Sequence, residues 1–214
     1  MRPLSHLCLP PLLVLVACAP DYQPQLEKNE SSQAASAPSG KTDTAIFAGG
    51  CFWCTESDFE KLPGVTAAVS GYTGGTLRNP TYKQVSAGGT GHYEAVRVSY
   101  DPARISYAQL VDYYFRTVDP TDAGGQFCDQ GDSYRTAVFI ADDRQKQLAE
   151  AEKADVRKTL SADVATAILP ASPFYEAEGY HQDYYKKNSL KYHFYRSRCG
   201  RDARLKEVWK GSGH

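Results

Sequence analysis

Short apolar segments alternate with longer amphipathic segments along the chain from residue 44 onward. Five short segments predict β-strands, at residues 44–47, 65–72, 92–100, 134–141 and 164–169. Five longer segments predict α-helices, at residues 52–62, 107–118, 142–159, 177–188 and 201–209. Strands interleaved with helices indicate an α/β (α+β) fold, a two-layer sandwich in which helices pack on one mixed β-sheet in a single domain.

The first 17 residues have the pattern of an export signal. Arg2 precedes an apolar run at residues 7–17, and its 11 residues are too few to span a bilayer. The run ends in Leu15-Val16-Ala17-Cys18, which resembles the lipobox of bacterial lipoproteins. That resemblance implies that residues 1–17 are a signal peptide and that Cys18 becomes a lipidated N-terminus. An ordinary secretory signal cleaved nearby is the alternative, and either predicts export to the bacterial cell envelope, facing the periplasm.

Residues 18–43 predict a disordered tether between the lipid and a folded domain. They contain Pro20, Pro24 and Pro38 and a cluster of serine, glutamine and alanine, with no hydrophobic period. Residues 44–214 are then the catalytic domain, which is long enough to bury a sizeable core. We expect the membrane to be contacted through the lipid alone.

Charge and cysteine spacing exclude several classes of partner. The net charge of −1 gives no field that would attract nucleic acid. Cys51 and Cys54 form the only C-x-x-C pair, so no zinc site is expected, and nothing in the pattern predicts a bound cofactor. Without the two N-terminal cysteines, Cys51, Cys54, Cys128 and Cys199 remain, and in an exported protein they are compatible with two structural disulfides.

The position of Cys51 favours a reactive thiol instead. It follows Gly49-Gly50 between a predicted strand and a predicted helix, so the N-terminus of the helix points its free N–H groups at the sulfur. This arrangement predicts a lowered pKa for the Cys51 thiol and a larger fraction of the nucleophilic thiolate.

Several ordered motifs resemble those of the methionine sulfoxide reductases of the A type. The first is Gly50-Cys51-Phe52-Trp53, followed here by Cys54. The others are NPTY at 79–82, GHYEAV at 91–96, DPT at 119–121, QFCD at 126–129, YR at 134–135 and EGYHQDY at 178–184. The resemblance covers about residues 44–195, which is most of the predicted folded domain.

The resemblance implies a set of site residues. Cys51 would attack the sulfoxide sulfur, and Glu94 would protonate its oxygen. Strand alternation independently places Glu94 on the face of Val96 and Val98, where burial would keep the carboxyl protonated. The remaining implied residues are Tyr82 and Tyr134 as donors to the oxygen, Asp129 to orient the substrate, and Phe52 and Trp53 around the methyl group. His181 lies in a family motif, with a structural role at least as well supported.

In the implied cycle, Cys51 becomes a sulfenic acid that condenses with a second thiol. Cys199 and Cys54 are the candidates for this resolving cysteine, with Cys199 slightly favoured, and Cys128 is expected only near the pocket. A thioredoxin-like or other dithiol reductant would reduce the resulting disulfide. The substrate would be the S epimer of methionine sulfoxide, free or in an oxidised protein, and we expect the enzyme to be a monomer.

Two other functions remain as alternatives at this stage. The C-x-x-C pair after a strand is compatible with a thioredoxin-like disulfide oxidoreductase, although Phe52 and Trp53 between the cysteines are unusual for one. Four cysteines in an exported chain are also compatible with a non-enzymatic envelope lipoprotein.

Overall fold

A computed structural model of the protein describes residues 40–210. The predicted signal peptide, the lipidation site Cys18 and nearly all of the predicted tether lie outside the described residues. Within residues 40–210, no helix is long and apolar enough to cross a membrane.

A six-stranded mixed sheet organises the fold, in the order β7-β6-β1-β3-β2-β8. Neighbouring strands are antiparallel except β6 and β7, which are parallel. The strands of this sheet are β1 (Asp43–Gly49), β2 (Val65–Thr73), β3 (Tyr93–Tyr100), β6 (Thr136–Ile140), β7 (Ala167–Pro170) and β8 (Tyr175–Glu176). A separate hairpin consists of β4 (Gly125–Gln126) and β5 (Asp129–Gln130).

Seven α-helices accompany the sheet within the described range. They are α1 (Phe52–Phe59), α2 (Tyr82–Ser86), α3 (Tyr107–Arg116), α4 (Asp143–Leu160), α5 (Tyr184–Lys187), α6 (Ser189–Arg198) and α7 (Arg201–Val208). The α3 helix begins where predicted, because Ser106 accepts a hydrogen bond from the backbone of Gln109 and completes a capping box with it. A mixed sheet packed with helices in a single domain is confirmed.

The core lies between the sheet and its helices. Phe47 of β1 stacks on Phe59 of α1 and on Tyr114 of α3, with ring centroids 4.8 and 5.0 Å apart. In β3, Val96 and Val98 are buried in this cluster, while Tyr93 and Ala95 on the opposite face belong to a second buried cluster. Because both faces of β3 are covered over its first half, the side chain of Glu94 is placed in the interior.

The helix predicted at residues 177–188 is wrong over its first half. The side chain of Gln182 makes hydrogen bonds that a neighbouring backbone would otherwise make. Its amide oxygen accepts from Ser70 N, and its amide nitrogen donates to Ser70 O and Ala177 O. Asp183 then adopts a left-handed conformation with φ +53°, and the helical residues begin only at Tyr184. These side chain–backbone bonds compete with a helix in this segment.

Other boundaries also differ from the prediction. A helix over residues 189–198 and a short one over residues 82–86 were missed, although Thr81 and Gln84 form a capping box for the latter. The strand predicted from residue 134 begins at Thr136, because Asp132–Tyr134 form a 3₁₀ turn. The strand predicted from residue 164 begins at Ala167.

Candidate active site

Cys51 lies at the turn from β1 into α1, in the position that caps the helix. Gly50 before it has φ +78°, and a β-carbon there would lie 2.5 Å from Cβ of Gln126. Only glycine therefore permits this turn to approach the loop that carries Gln126. Gln126 is held in turn by hydrogen bonds to the backbone N and O of Asp119, at 2.8 Å each.

A small cavity of about 50 Å³ opens at Cys51. That volume holds a group the size of a methyl and an oxygen, but not a whole side chain. It is lined by all seven residues that the sequence predicted for catalysis and substrate binding and by one further tyrosine: Cys51, Phe52, Trp53, Tyr82, Glu94, Asp129, Tyr134 and Tyr195.

Glu94 enters the cavity from β3, on the face that alternation predicted. Its side chain is buried, with the residue 2% exposed, and one carboxylate oxygen accepts a hydrogen bond of 3.0 Å from Phe52 N. Burial raises the pKa of Glu94 to about 8, against the opposing effect of this hydrogen bond. The carboxyl group therefore retains its proton at neutral pH, in contact with the residue that follows Cys51.

Cys51 and Cys54 are the free cysteines among the described residues, and both are buried. Burial raises the pKa of the Cys51 thiol well above its ordinary value, and its hydrogen bond with Cys54 raises it further. The prediction of a lowered Cys51 pKa is wrong, because desolvation outweighs the effect of the helix end. The pKa of Cys54 is lowered to about 7, first by the hydrogen bond from Cys51 and then by Arg201 and Arg196, against the effect of burial.

The phenol groups of the cavity stay protonated. Burial raises the pKa values of Tyr82 and Tyr134, whose hydroxyls hydrogen-bond each other, and the nearby Glu94 raises them further. Both hydroxyls are therefore available as hydrogen-bond donors to an oxygen in the cavity. Asp129 accepts a hydrogen bond from the hydroxyl of Tyr195, and burial raises its pKa.

Tyr195 was missed by the sequence prediction. It projects from α6 into the cavity, and its hydroxyl also contacts the sulfur of Cys51. Tyr192 lies one turn earlier on α6 and packs against Cys51 and Cys54. Tyrosines three positions apart lie on the same face of a helix. If the helix at residues 189–198 had been predicted, this spacing would have indicated that Tyr192 and Tyr195 point in the same direction.

The aromatic side of the cavity is built around Trp53. Its indole stacks on Tyr184 with centroids 3.7 Å apart, and its N–H donates to Nδ1 of His181 at 3.0 Å. His181 also packs on Phe52 and Tyr82, and burial lowers its pKa, which favours the neutral ring that accepts this bond. His181 thus orients the aromatic side chains and does not line the cavity.

Glu178 connects the EGYHQDY segment to the site. Its two carboxylate oxygens accept hydrogen bonds of 2.9 Å, one from the backbone N of Tyr82 and one from the hydroxyl of Tyr72. The start of α2, and with it the side chain of Tyr82, is therefore positioned against β2. The motif contributes to the site by holding other residues in place.

A disulfide joins Cys128 to Cys199, across a sequence separation of 71 residues. Cys128 lies in the β4–β5 hairpin beside Asp129, and Cys199 ends α6 four residues after Tyr195. The bond therefore ties together the two segments that supply Asp129 and Tyr195. Cys128 was expected only near the pocket, and its pairing with Cys199 was not predicted.

Two clusters bring three potential metal-ligand atoms within 4.8 Å of one another in the described part of the chain. In the first, of Cys128, Asp129 and Cys199, both sulfurs already form the disulfide. In the second, of Glu56, Glu60 and Asp183, the ammonium of Lys186 pairs with two of the three carboxylates, 2.6 Å from Glu60 and 2.7 Å from Asp183. Each cluster is satisfied without an ion.

Comparison with known proteins agrees with this geometry. A family model described as peptide methionine sulfoxide reductase matches residues 43–212. Peptide methionine sulfoxide reductase MsrA 2 of Caulobacter vibrioides is 57% identical over 172 residues, which cover 80% of this chain and 87% of that protein. The MsrA of Bacillus subtilis is 49% identical over 173 residues, with coverage of 80% and 98%.

Two solved structures also resemble this chain. Mxr1 from Saccharomyces cerevisiae in reduced form matches with a TM-score of 0.66 and 33% identity, covering 73% of this chain and 91% of that one. Methionine sulfoxide reductase A of Corynebacterium diphtheriae matches with a TM-score of 0.64 and 33% identity, covering 71% and 78%. The chain therefore belongs to the peptide methionine sulfoxide reductase family, and it reduces methionine sulfoxide to methionine.

Proposed function

We propose that Cys51 is the nucleophile and Glu94 the proton donor in the reduction of methionine sulfoxide. The supporting observation is that one cavity of about 50 Å³ contains both groups, with Glu94 buried and its pKa raised to about 8. The Cys51 sulfur attacks the sulfoxide sulfur, and Glu94 gives its proton to the sulfoxide oxygen. The S–S bond formed in this attack and the S–O bond of the sulfoxide then break as the hydroxyl passes to the Cys51 sulfur, which leaves a sulfenic acid on Cys51 and releases methionine as the reduced sulfide.

The hydrogen bond between Cys51 and Cys54 accounts for deprotonation of the nucleophile. Because Cys54 has the lower pKa of the pair, the first charge that forms is on Cys54, with Cys51 donating to it. When a polarised sulfoxide sulfur contacts Cys51, the shared proton moves to Cys54 and the negative charge moves to Cys51. The Cys51 thiolate therefore forms only when substrate is bound, which limits the reaction of Cys51 with other oxidants.

The other cavity residues bind the sulfoxide. Tyr82 and Tyr134 donate hydrogen bonds to its oxygen, since their hydroxyls stay protonated. Phe52 and Trp53 surround the methyl group, and Asp129, held by Tyr195, orients the methionine main chain. The methyl group, the oxygen and the rest of the methionine side chain contact different residues of the cavity. Only one epimer at sulfur can make all of these contacts, and the family resemblance indicates the S epimer.

Cys54 is the resolving cysteine in this proposal. Cys199, the favoured candidate from sequence, is bonded to Cys128, whereas Cys54 is a free thiol in contact with Cys51. Cys54 attacks the sulfenic sulfur of Cys51, the S–O bond breaks, and the oxygen leaves as water. An external dithiol of the thioredoxin-like class then reduces the Cys51–Cys54 disulfide and is itself oxidised.

Cys54→Ser is expected to lower turnover with a thioredoxin-like reductant by about 10- to 100-fold, because the sulfenic acid loses its neighbouring thiol. The double variant Cys128→Ser/Cys199→Ser is the matched control, and its turnover stays within about twofold. Reductant oxidation is followed spectrophotometrically, and methionine formed per enzyme without reductant is measured in parallel. Loss of turnover in the control with full turnover in Cys54→Ser would transfer the resolving role to Cys199.

We also propose that the enzyme is an exported lipoprotein, anchored through Cys18 and separated from the membrane by residues 19–43. The support is the apolar run at residues 7–17 and the Leu15-Val16-Ala17-Cys18 sequence. In the oxidising periplasm, reducing equivalents for the Cys51–Cys54 disulfide come from a membrane relay to a thioredoxin-like donor. Oxidised envelope proteins and free methionine sulfoxide are then the available substrates.

Cys18→Ser tests the anchor in a bacterial host. The wild-type chain is expected to incorporate radiolabelled fatty acid and to partition with detergent-extracted membranes, because the diacylglycerol is attached to the Cys18 thiol. Cys18→Ser incorporates no label, whereas Cys8→Ser, which also removes an N-terminal cysteine, incorporates it normally. Absence of label from the wild-type chain, with release of a soluble form, would favour the ordinary secretory signal.

The cavity is complete within one chain, which supports action as a monomer. Family membership also favours the reductase over the two alternatives raised by the cysteine pattern, a thioredoxin-like disulfide oxidoreductase and a non-enzymatic envelope lipoprotein.

A further inference from the structure

Two arginines from the C-terminal helices, Arg196 and Arg201, lie close to the helix that carries the C-x-x-C pair. Arg201, the first residue of α7, is 2% exposed, which is rare for this side chain. Its guanidinium donates to the backbone oxygen of Gly49 at 3.2 Å and to that of Thr117 at 2.7 Å. Because Gly49 ends the strand that leads to Cys51, the positive charge is held next to the start of α1.

Arg196 of α6 approaches from the other side. One of its terminal nitrogens lies 2.8 Å from Asp58 and donates to the hydroxyl of Tyr192 at 3.1 Å. Asp58 is one helical turn after Cys54 on α1, so the two side chains are neighbours on the same helix face. Its guanidinium also pairs with Asp202, at 2.7 Å.

Within this cluster, Arg201 has no carboxylate at hydrogen-bond distance. Asp58 bonds to Arg196, and its second oxygen is 3.9 Å from Nε of Arg201, beyond hydrogen-bond distance. That Nε is buried and has no hydrogen-bond partner among the described residues. An additional anion next to Arg201 would therefore be stabilised, and the neighbouring group able to become one is the Cys54 thiol.

The groups that act on Cys54 come from every element around it. They are Cys51 and Asp58 of α1, Glu94 of β3, Tyr192 and Arg196 of α6, and Arg201 of α7. Burial raises the pKa of Tyr192 to about 12, so its phenol is neutral at working pH. Glu94 is protonated there, and Asp58 opposes a thiolate. The two arginines are the cations of the set.

We propose that Arg196 and Arg201 are positioning residues that hold Cys54 as a thiolate for its attack on the sulfenic acid of Cys51. The proposal rests on the assignment of Cys54 as the resolving cysteine. In this step the Cys54 sulfur supplies the electron pair of the new S–S bond. The S–O bond of Cys51 breaks, and the departing hydroxide takes up the proton that Cys54 releases when it ionises and leaves as water.

The two arginines have their largest effect on the ionisation of Cys54 after Cys51 has been oxidised to the sulfenic acid. In the reduced enzyme, the thiol hydrogen of Cys51 is the largest influence that lowers the pKa of Cys54. Once Cys51 is a sulfenic acid, this thiol hydrogen is gone, whereas the two guanidiniums remain in place.

Single-turnover measurements on the full chain separate the two steps. Reduced enzyme is mixed with excess methionine S-sulfoxide without reductant, quenched at intervals, and assayed for methionine, which reports the first step. Trypsin cleavage after Lys41 and Lys61 gives one peptide, residues 42–61, that contains both Cys51 and Cys54. Mass spectrometry of this peptide quantifies the dithiol, the dimedone-trapped sulfenic acid and the disulfide.

Arg201→Met and Arg196→Met remove the charges, Arg201→Lys restores one, and Arg204→Met is the matched control. Arg204 lies one turn further along α7 and pairs with Asp119 at 2.7 Å instead of approaching Cys54. Thermal melts and circular dichroism establish that each variant is folded. If Arg201→Met is unfolded, Arg196→Met and Arg201→Lys decide the result.

Loss of either charge is expected to slow disulfide formation about tenfold relative to methionine formation at pH 7, with sulfenic acid accumulating. The pH midpoint of the second step moves upward by about one unit, and Arg201→Lys returns it towards the wild-type value. Arg204→Met changes neither quantity. The proposal would be overturned if folded Arg196→Met and Arg201→Met kept the wild-type ratio of disulfide formation to methionine formation and the wild-type pH midpoint of the second step. A wild-type enzyme that forms no disulfide in peptide 42–61 would instead overturn the assignment of Cys54.

Discussion

Cys51→Ser is expected to abolish the reduction of methionine sulfoxide, with a loss of at least about a thousandfold in turnover, because no other side chain in the cavity can accept the sulfoxide oxygen. A serine hydroxyl has the size to fill the site but is a far weaker nucleophile towards sulfur. The substitution also removes the thiol hydrogen that Cys51 donates to Cys54.

The measurement uses dithiothreitol and a resolved pair of methyl sulfoxide epimers, so that reaction, stereochemistry and nucleophile are read together. Wild-type enzyme is expected to consume only the S epimer, and Cys51→Ser neither. Cys54→Ser is the control, since it keeps the nucleophile and should still form one methionine per enzyme without reductant. Undiminished consumption by folded Cys51→Ser would exclude Cys51 as the nucleophile.

The central strands, the buried position of Glu94 and the turn before Cys51 could be predicted because their information is local, whereas Tyr82, Tyr134 and Asp129 were implied by the family resemblance alone. Alternation over residues 92–100 identifies β3 and places Glu94 on the buried face of Val96 and Val98, where the structure has it. Glycine at residue 50 indicates a tight turn before Cys51, and its φ of +78° agrees. In each case a periodicity or a single residue type determines the local conformation.

The helix predicted at residues 201–209 is confirmed as α7, but the rest of the C-terminal third could not be predicted in the same way, since its conformation depends on distant partners. Residues 177–183 have a polar, helix-compatible pattern, but Gln182 bonds to Ser70 more than 100 residues earlier. The exposed side chains of Leu190 and Phe194 on α6 give that helix no simple apolar stripe. Tyr195, Arg196 and Arg201 were therefore missed, as was the pairing of Cys128 with Cys199.

The direction of the Cys51 pKa shift also could not be predicted from the local sequence alone. Sequence reveals that a thiol lies at the N-terminus of a helix, but not how deeply it is buried. Burial disfavours the charged form, and here it outweighs the helix end. For Glu94 the same effect was predicted correctly, because strand alternation reports burial directly.

Glu94→Gln is expected to lower the rate constant of sulfoxide reduction by about 100- to 1000-fold at pH 7, because glutamine keeps the shape and cannot deliver a proton. The effect should depend on pH in a defined direction. Burial raises the pKa of Glu94 to about 8, so the acid is present below pH 8 and is lost as the pH rises through that value. Single-turnover methionine formation measures the rate constant.

The ratio of wild-type to Glu94→Gln rates emphasises the titration of Glu94, because groups that ionise alike in both enzymes cancel. The ratio is expected to be constant below pH 8 and to fall about tenfold per pH unit above it. Asp129→Asn is the matched control: it also removes a carboxylate from the cavity, but its ratio to wild type should not change across the same range. A ratio for Glu94→Gln that stays flat between pH 6 and about 10 would mean that Glu94 positions the substrate and that the proton comes from another group, the hydroxyl of Tyr82 or Tyr134 being the nearest donors in the cavity.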